Sequence, residues 1–245
     1  MYRFLLRPRW IAFTLLVVAA VVLMVNLGFW QLRRLDERQD FNATVRERAS
    51  AAAVPVDEVL QLDSDPDDLD WTPVVAAGRY EADEQILIVN RAQDGMAGFN
   101  VVTPLRLDDG TAILVNRGFV PLDEVPPAAP SDPVAVAGLL RESQQRGFGG
   151  ATDPGEGDLG EAQRIDIERL APQIDGDLLP MWLSLETSDP AQGERPIPLP
   201  RPELTEGPHL SYAVQWFLFS AAAIVGWVLA VRHGARSRRA AASAR

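Results

Sequence analysis

Two apolar runs, one toward each end, constrain this chain more than any other feature. Residues 10–30 read WIAFTLLVVAAVVLMVNLGFW, with Thr14 and Asn26 the only strongly polar members. Residues 212–231 read YAVQWFLFSAAAIVGWVLAV, interrupted only by Gln215 and Ser220. A helix of that length reaches about 30 Å, the thickness of a bilayer's hydrocarbon core. Trp10 and Trp30 stand at the ends of the first run, and Tyr212, Trp216 and Trp227 mark the second, as aromatic belts do at membrane interfaces. The first run exceeds the ~7–15 apolar residues of a secretory signal, and no small-x-small cleavage site follows it. It is therefore expected to stay as an anchor.

Charge divides the chain in the same way. All 34 acidic residues lie between Asp36 and Glu206, and every basic residue is Arg. Three of the 23 arginines precede residue 10 and five follow Val231, so the middle holds 15 against 34 acids, a net charge of −19. Such a middle repels phosphates, which excludes nucleic acid as its partner. Arg3, Arg7 and Arg9 flank the first run; Arg232, Arg236, Arg238 and Arg239 flank the second. The positive-inside rule then puts both termini in the cytoplasm, although Arg33, Arg34 and Arg38 stand on the other side, interleaved with Asp36, Glu37 and Asp40. The expected organisation is a cytoplasmic N-terminus (1–9), a transmembrane helix (10–30), an extracytoplasmic domain (31–211), a second transmembrane helix (212–231) and a cytoplasmic basic tail (232–245).

Within the middle, Leu32, Leu35, Gln39, Asn42, Val45 and Ala49 step by three or four residues, so the first helix is expected to continue past the membrane and to end before Pro55. Arg33 and Glu37 stand four apart as a candidate exposed pair. Residues 57–70 (DEVLQLDSDPDDLD) form an acidic loop. Asp63, Asp65 and Asp67 resemble the start of a calcium loop, but Asp68 and Val74 occupy the positions that need glycine and glutamate. Strand signals then recur at 74–80, 85–90, 100–107, 111–115, 134–140 and 181–185, with Asp109-Gly110 marking a hairpin and 165–170 a short helix. The expected fold class is a membrane protein of α+β type, with two transmembrane helices bracketing a β-rich, antiparallel, barrel-like domain. The glycines at 155, 157 and 160 match a dinucleotide pattern, but no strand–helix unit surrounds them and Glu156 and Asp158 would face a pyrophosphate, so a surface loop is expected. Residues 189–208, with six prolines, read as an extended return to the second span.

Little chemistry is on offer. Without cysteine there is no thiolate ligand or thiol nucleophile. His233 sits in the basic tail; His209 lies three residues before the second apolar run, with Trp216 seven residues on along the same face. An imidazole at that boundary is suited either to ligate a metal or haem iron or to hydrogen-bond a helix start. No nucleophile–base arrangement emerges, so an outward-facing enzyme is the least favoured class.

Four stretches in order resemble the surfeit locus protein 1 family of cytochrome oxidase assembly factors: residues 28–34 (GFWQLRR), 98–104 (GFNVVTP), 114–121 (LVNRGFVP) and 209–216 (HLSYAVQW). The resemblance spans nearly the whole chain; Gln215 and the acidic and glycine-rich loops depart from the family's pattern. It implies a non-enzymatic factor for aa3-type haem-copper oxidase that assists delivery or insertion of haem a into the large subunit, with that subunit, haem a synthase and membrane lipid as partners. It implies haem a as a transient cofactor and His209 as its metal ligand. Around it, Trp30 and Gln31 stand at the interface and Trp216 on the same helix face. Arg117 suits either a haem propionate or an acid within the domain. Its neighbours Asn116 and Gly118 are expected to form a tight turn after a strand. The other reading is a membrane scaffold for oxidase subunits that binds no haem. Arginine without lysine and abundant alanine fit a GC-rich bacterial genome, hence a multi-pass protein of the bacterial plasma membrane.

Overall fold

The computed structural model describes residues 3–243; Met1, Tyr2 and the last two residues of the basic tail, Ala244 and Arg245, lie outside the described residues. The chain divides into two compact units. One combines the residues up to Thr44 with those from Glu203 onward; the other is Val45–Pro202.

The first unit is built on two helices, α1 (Pro8–Ala49) and α5 (His209–Ser243). Each contains a segment long and apolar enough to cross a membrane, with mean hydropathy of 2.6 and 2.0. Almost none of either segment is buried by protein, 6% and 11% respectively. α1 does continue beyond the apolar run and ends before Pro55. The exposed ion pair on it joins Arg34, not Arg33, to Glu37 at 2.6 Å, three residues apart instead of four.

The second unit is an eight-stranded sheet: β1 (Val54–Pro55), β2 (Pro73–Tyr80), β3 (Ile86–Gln93), β4 (Met96–Leu107), β5 (Ala112–Pro121), β6 (Val134–Glu142), β7 (Glu161–Ala162) and β8 (Leu178–Asp189). Their order is β1-β2-β6-β8-β5-β4-β3-β7. The expected antiparallel barrel is corrected to a mixed sheet. β8 enters between β6 and β5, antiparallel to the first and parallel to the second, and β1–β2 and β3–β7 are parallel as well. β2 also meets β4 through Gly78–Tyr80, so the sheet curls back on itself.

Alternation along the strands builds two cores. Ile113 and Val115 of β5 join Val74, Leu105, Leu140 and Leu183 on one face. Ala112 and Leu114 turn to the other, beside Ile86, Ile88, Ile165 and Trp182. β5 is buried along its whole length, as the central strand of a sheet covered on both faces must be. The acidic stretch is not a loop throughout: α2 (Val56–Val59) seats Val56 and Leu60 in the first core, and α3 (Pro66–Leu69) is capped by the Asp65 carboxylate on the Asp67 N–H. A short α4 (Ile167–Leu170) packs Ile167 and Leu170 into the second core.

Candidate functional site

α1 and α5 run antiparallel, and the sequence explains how they meet. Along α1, Thr14, Val21, Gly28, Leu35 and Asn42 are all buried or half-buried and recur every seven residues. On α5, Ala213, Phe217, Ser220, Trp227 and Val231 keep the matching spacing of four and three. Seven-residue spacing keeps one stripe facing a shallowly crossing partner. Gly28 is a point of close approach: a Cβ there would lie 2.7 Å from the Phe217 ring. Phe29 closes over the same ring edge-on, with centroids 5.5 Å apart. Small residues are what let two apolar helices come together where hydrophobic burial is not the driving force.

Side-chain hydrogen bonds link the helices at two levels among the described residues. The Trp227 indole N–H donates to Thr14 Oγ1 at 3.1 Å. About 26 Å away along the helix axes, His209 Nδ1 lies 2.8 Å from Gln31 Oε1. With the amide oxygen accepting, Nδ1–H is the donor of this bond, and the other ring nitrogen, Nε2, takes no part in it. His209 is the first residue of α5. The chain leading to it is anchored on α1 by Arg38, which donates to the carbonyls of Glu203 and Thr205 at 3.0 Å, and by Asn42, which donates to Thr205 O at 3.1 Å. Gly207, at φ +67°, then turns the chain into the helix.

The structure therefore brings together two of the residues singled out in the sequence, His209 and Gln31. Trp30, one residue on from Phe29, points away from the helix pair and is 46% exposed. Trp216 is half-buried and packs edge-on against Phe219, with centroids 6.1 Å apart. Among the described residues no group of three or more His, Asp or Glu could hold a metal ion. A lone imidazole nitrogen cannot build a cage for a free ion.

Arg117 belongs to the other unit, inside the sheet. The ladder steps from Val102–Asn116 to Val101–Gly118, leaving Arg117 as the extra residue of a β-bulge in β5. The expected tight turn at 116–118 is thus corrected: the string lies mid-strand, and the bulge does the bending. Bulging aims the guanidinium inward, where it is 1% exposed. It donates to Gln85 Oε1 at 3.2 Å and to the carbonyls of Pro127 and Ala128 at 3.3 Å each, and lies 5.4 Å from the Tyr80 ring. Its partners are neutral oxygens, not one of the many acids. Burial lowers the pKa of the guanidinium, offset in part by Tyr80. The phenol in turn is pushed up to about 12, chiefly by burial and against the neighbouring cation.

The rest of that string fastens the return segment. Gly118 sits at φ +127°, and a Cβ there would be 2.2 Å from Ile197 O. Phe119 and Ile197 exchange backbone bonds of 2.7 and 2.8 Å. Gln192 donates to Arg117 O at 2.7 Å, and Asn116 Oδ1 accepts from the Gly118 N–H at 3.1 Å. Gly98 in β4 serves a similar purpose, since its missing Cβ would meet Val120 O at 2.2 Å.

Several features escaped the sequence reading. The Thr14–Trp227 bond was not foreseen, although a hydroxyl alone in an apolar run is a signal that a partner exists. The β3–β4 hairpin turns on Asp94-Gly95, with φ of +52° and +78°, and the Asp-Gly pair announced it. Arg141, stacked 3.4 Å over Trp71 and paired with Asp70 at 2.9 Å, had no local pattern to reveal it.

Comparison with known proteins completes the picture. A family model described as the SURF1 family matches residues 18–221. An uncharacterized SURF1-like protein of Mycobacterium tuberculosis (strain ATCC 25618 / H37Rv) is 33% identical over 231 residues, covering 91% of this chain and 83% of that protein. A SURF1-like protein of Monosiga brevicollis is 27% identical over 238 residues, with 89% and 87% covered. Surfeit locus protein 1 of Xenopus tropicalis is 26% identical over 244 residues, with 86% and 73% covered.

Proposed function

Because the chain belongs to the SURF1 family, whose members are cytochrome oxidase assembly factors and not enzymes, we propose that it handles haem a during assembly of an aa3-type haem-copper oxidase. The observation that carries this reading is the His209–Gln31 pair. Gln31 fixes the tautomer and orientation of the imidazole, as second ligand-shell partners of metal-binding histidines do. Nε2 is then the base that would hold the iron. Haem, if bound, would supply an iron for the imidazole to ligate. The residues supply one nitrogen, a fixed ring plane and a site at a helix start, where a cargo can be taken and released.

We further propose that α1 and α5 span the bacterial plasma membrane with both termini cytoplasmic. Their apolar faces, left uncovered by protein, and the arginine-rich, acid-free ends support this. The domain between them is then extracytoplasmic, with the oxidase large subunit and haem a synthase as partners. Arg117 is assigned to holding the domain together, since its donors already meet three oxygens inside it.

Deletion of the gene tests the assembly role. The expected result is lowered aa3-type oxidase activity with haem a synthesis intact. Normal oxidase activity in a strain with no second copy of the gene would contradict it.

A further inference from the structure

The seam between α1 and α5 is open along one side. Ala223 is half-buried between Ser220 and Trp227, but its neighbour Ile224 is 48% exposed. Opposite it the helices leave a slot of about 310 Å³ walled by Val17, Val18, Val21, Val22 and Ile224. The bonded Thr14–Trp227 pair closes one end. Five β-branched side chains are stiff at χ1 and cannot swing in to fill the space. Water would find no polar partners along those walls. At the depth of an apolar helix pair, the filler must be hydrocarbon.

Charge identifies which hydrocarbon. The closed end of the slot faces the arginine-rich ends of both helices, which share one end of the pair: Leu5, Trp10, Trp227, Val231 and Ala235 pack together there. Arg9 is five residues from Thr14, and Arg232 five from Trp227, about 7.5 Å along each axis. Arg7, Arg9, Arg232 and Arg236 are all exposed, and residues 1–35 and 207–245 contain no acid. The slot thus runs from about 7.5 to about 20 Å beyond Arg9, so it starts within the leaflet, about 15 Å thick, that the arginines border and reaches the middle of the bilayer. We propose that this slot and its basic rim bind one anionic phospholipid, the phosphate among the arginines and one acyl chain between the helices. Basic pockets between membrane helices are where such headgroups are held. The inference rests on α1 and α5 being membrane spans. It assigns the slot a lipid that wedges the pair open at one level while Gly28 and Phe217 hold it closed at another.

The full-length chain, reconstituted in nanodiscs of equal parts dioleoyl phosphatidylglycerol and dioleoyl phosphatidylcholine, is released into a mass spectrometer and its retained lipid counted. One phosphatidylglycerol per chain is expected, favoured at least about fivefold over phosphatidylcholine, the scale of a single basic residue's attraction to an anionic lipid surface. Replacing Arg7, Arg9, Arg232 and Arg236 by Gln should abolish the preference. Val21→Phe, which fills the slot and leaves the rim intact, should abolish retention, whereas Ile224→Ala should keep it. Equal retention of the two lipids, no retained lipid in the wild type, or undiminished phosphatidylglycerol on Val21→Phe would overturn the proposal. Carbonate extraction separates this from the span reading: a wild-type chain released from membranes by carbonate refutes the spans themselves, whereas a resistant chain without bound lipid refutes only the slot.

Discussion

Replacing Gly118 by alanine should loosen the junction between the sheet and the return segment, by an amount that can be set against a control in the same hairpin. Gly110, in the β4–β5 turn at φ +89°, has open space where its Cβ would go. Gly110→Ala therefore carries the left-handed backbone penalty alone, about 1–2 kcal/mol. Gly118→Ala carries at least that penalty at φ +127° and also drives a methyl to 2.2 Å from Ile197 O. A backbone oxygen cannot swivel aside as a side chain would, so residues 196–198 must lift off β5. The two Phe119–Ile197 bonds are then lost, at about 0.5–1.5 kcal/mol each. The total is roughly 2–5 kcal/mol. For a domain of this size that lowers Tm by roughly 5–15 °C, against about 2–7 °C for Gly110→Ala. Thermal unfolding of the detergent-purified chain measures both, and amide exchange at Ile197 shows where the loss occurs. Equal Tm shifts for the two variants, with Ile197 still protected in Gly118→Ala, would refute the reasoning that the glycine serves the return segment.

Gln31→Leu removes the acceptor that fixes His209 and should weaken haem retention about tenfold while the protein still inserts, the scale seen when a metal ligand loses its orienting partner; pigment content of the purified variant measures it. Tyr80 gives a pH dependence: its folded pKa of about 12 lies above the ordinary value of 10, so the stabilisation is complete below pH 10 and is lost as pH rises from 10 to 12. That amounts to about 2–3 kcal/mol, read from denaturant midpoints across that range, and Tyr80→Phe should flatten the curve. Reporter fusions after residue 140 and at the C-terminus test the topology: an extracytoplasmic reporter should be active at the first and a cytoplasmic one at the second.

The elements were legible where their pattern is local. The two apolar helices, the overrun of α1, six strands and the Asp109-Gly110 hairpin follow from periodicity and turn residues alone. Strand order was not legible. β8 pairs with β5 in parallel because it enters between β6 and β5, a long-range choice that no residue within Leu178–Asp189 announces. The error at Arg117 has a definite cause. Asn-Arg-Gly carries turn chemistry, and a β-bulge uses the same residues, a positive φ at glycine and an inward-aimed neighbour, without ending the strand. At the candidate site, the position of His209 was visible from its place before the second span. Its partner was not, because Gln31 lies 178 residues away in sequence and only the antiparallel return of α5 sets the two side chains together. Gly28 belonged to a recognised motif, but its task, admitting the Phe217 ring, needed the helix pair to be seen.

The most direct test of the account is the haem content of His209→Ala, purified in detergent from cells that make haem a and compared with the wild type and with Leu210→Ala. The imidazole lone pair is the one base the helix start presents to an iron, so His209→Ala should insert normally and lose most of its co-purifying haem a, while Leu210→Ala stays near wild type. A His209→Ala protein with full haem occupancy and an unchanged absorption spectrum would contradict the assignment and leave His209 as a hydrogen-bonding clip between two helices.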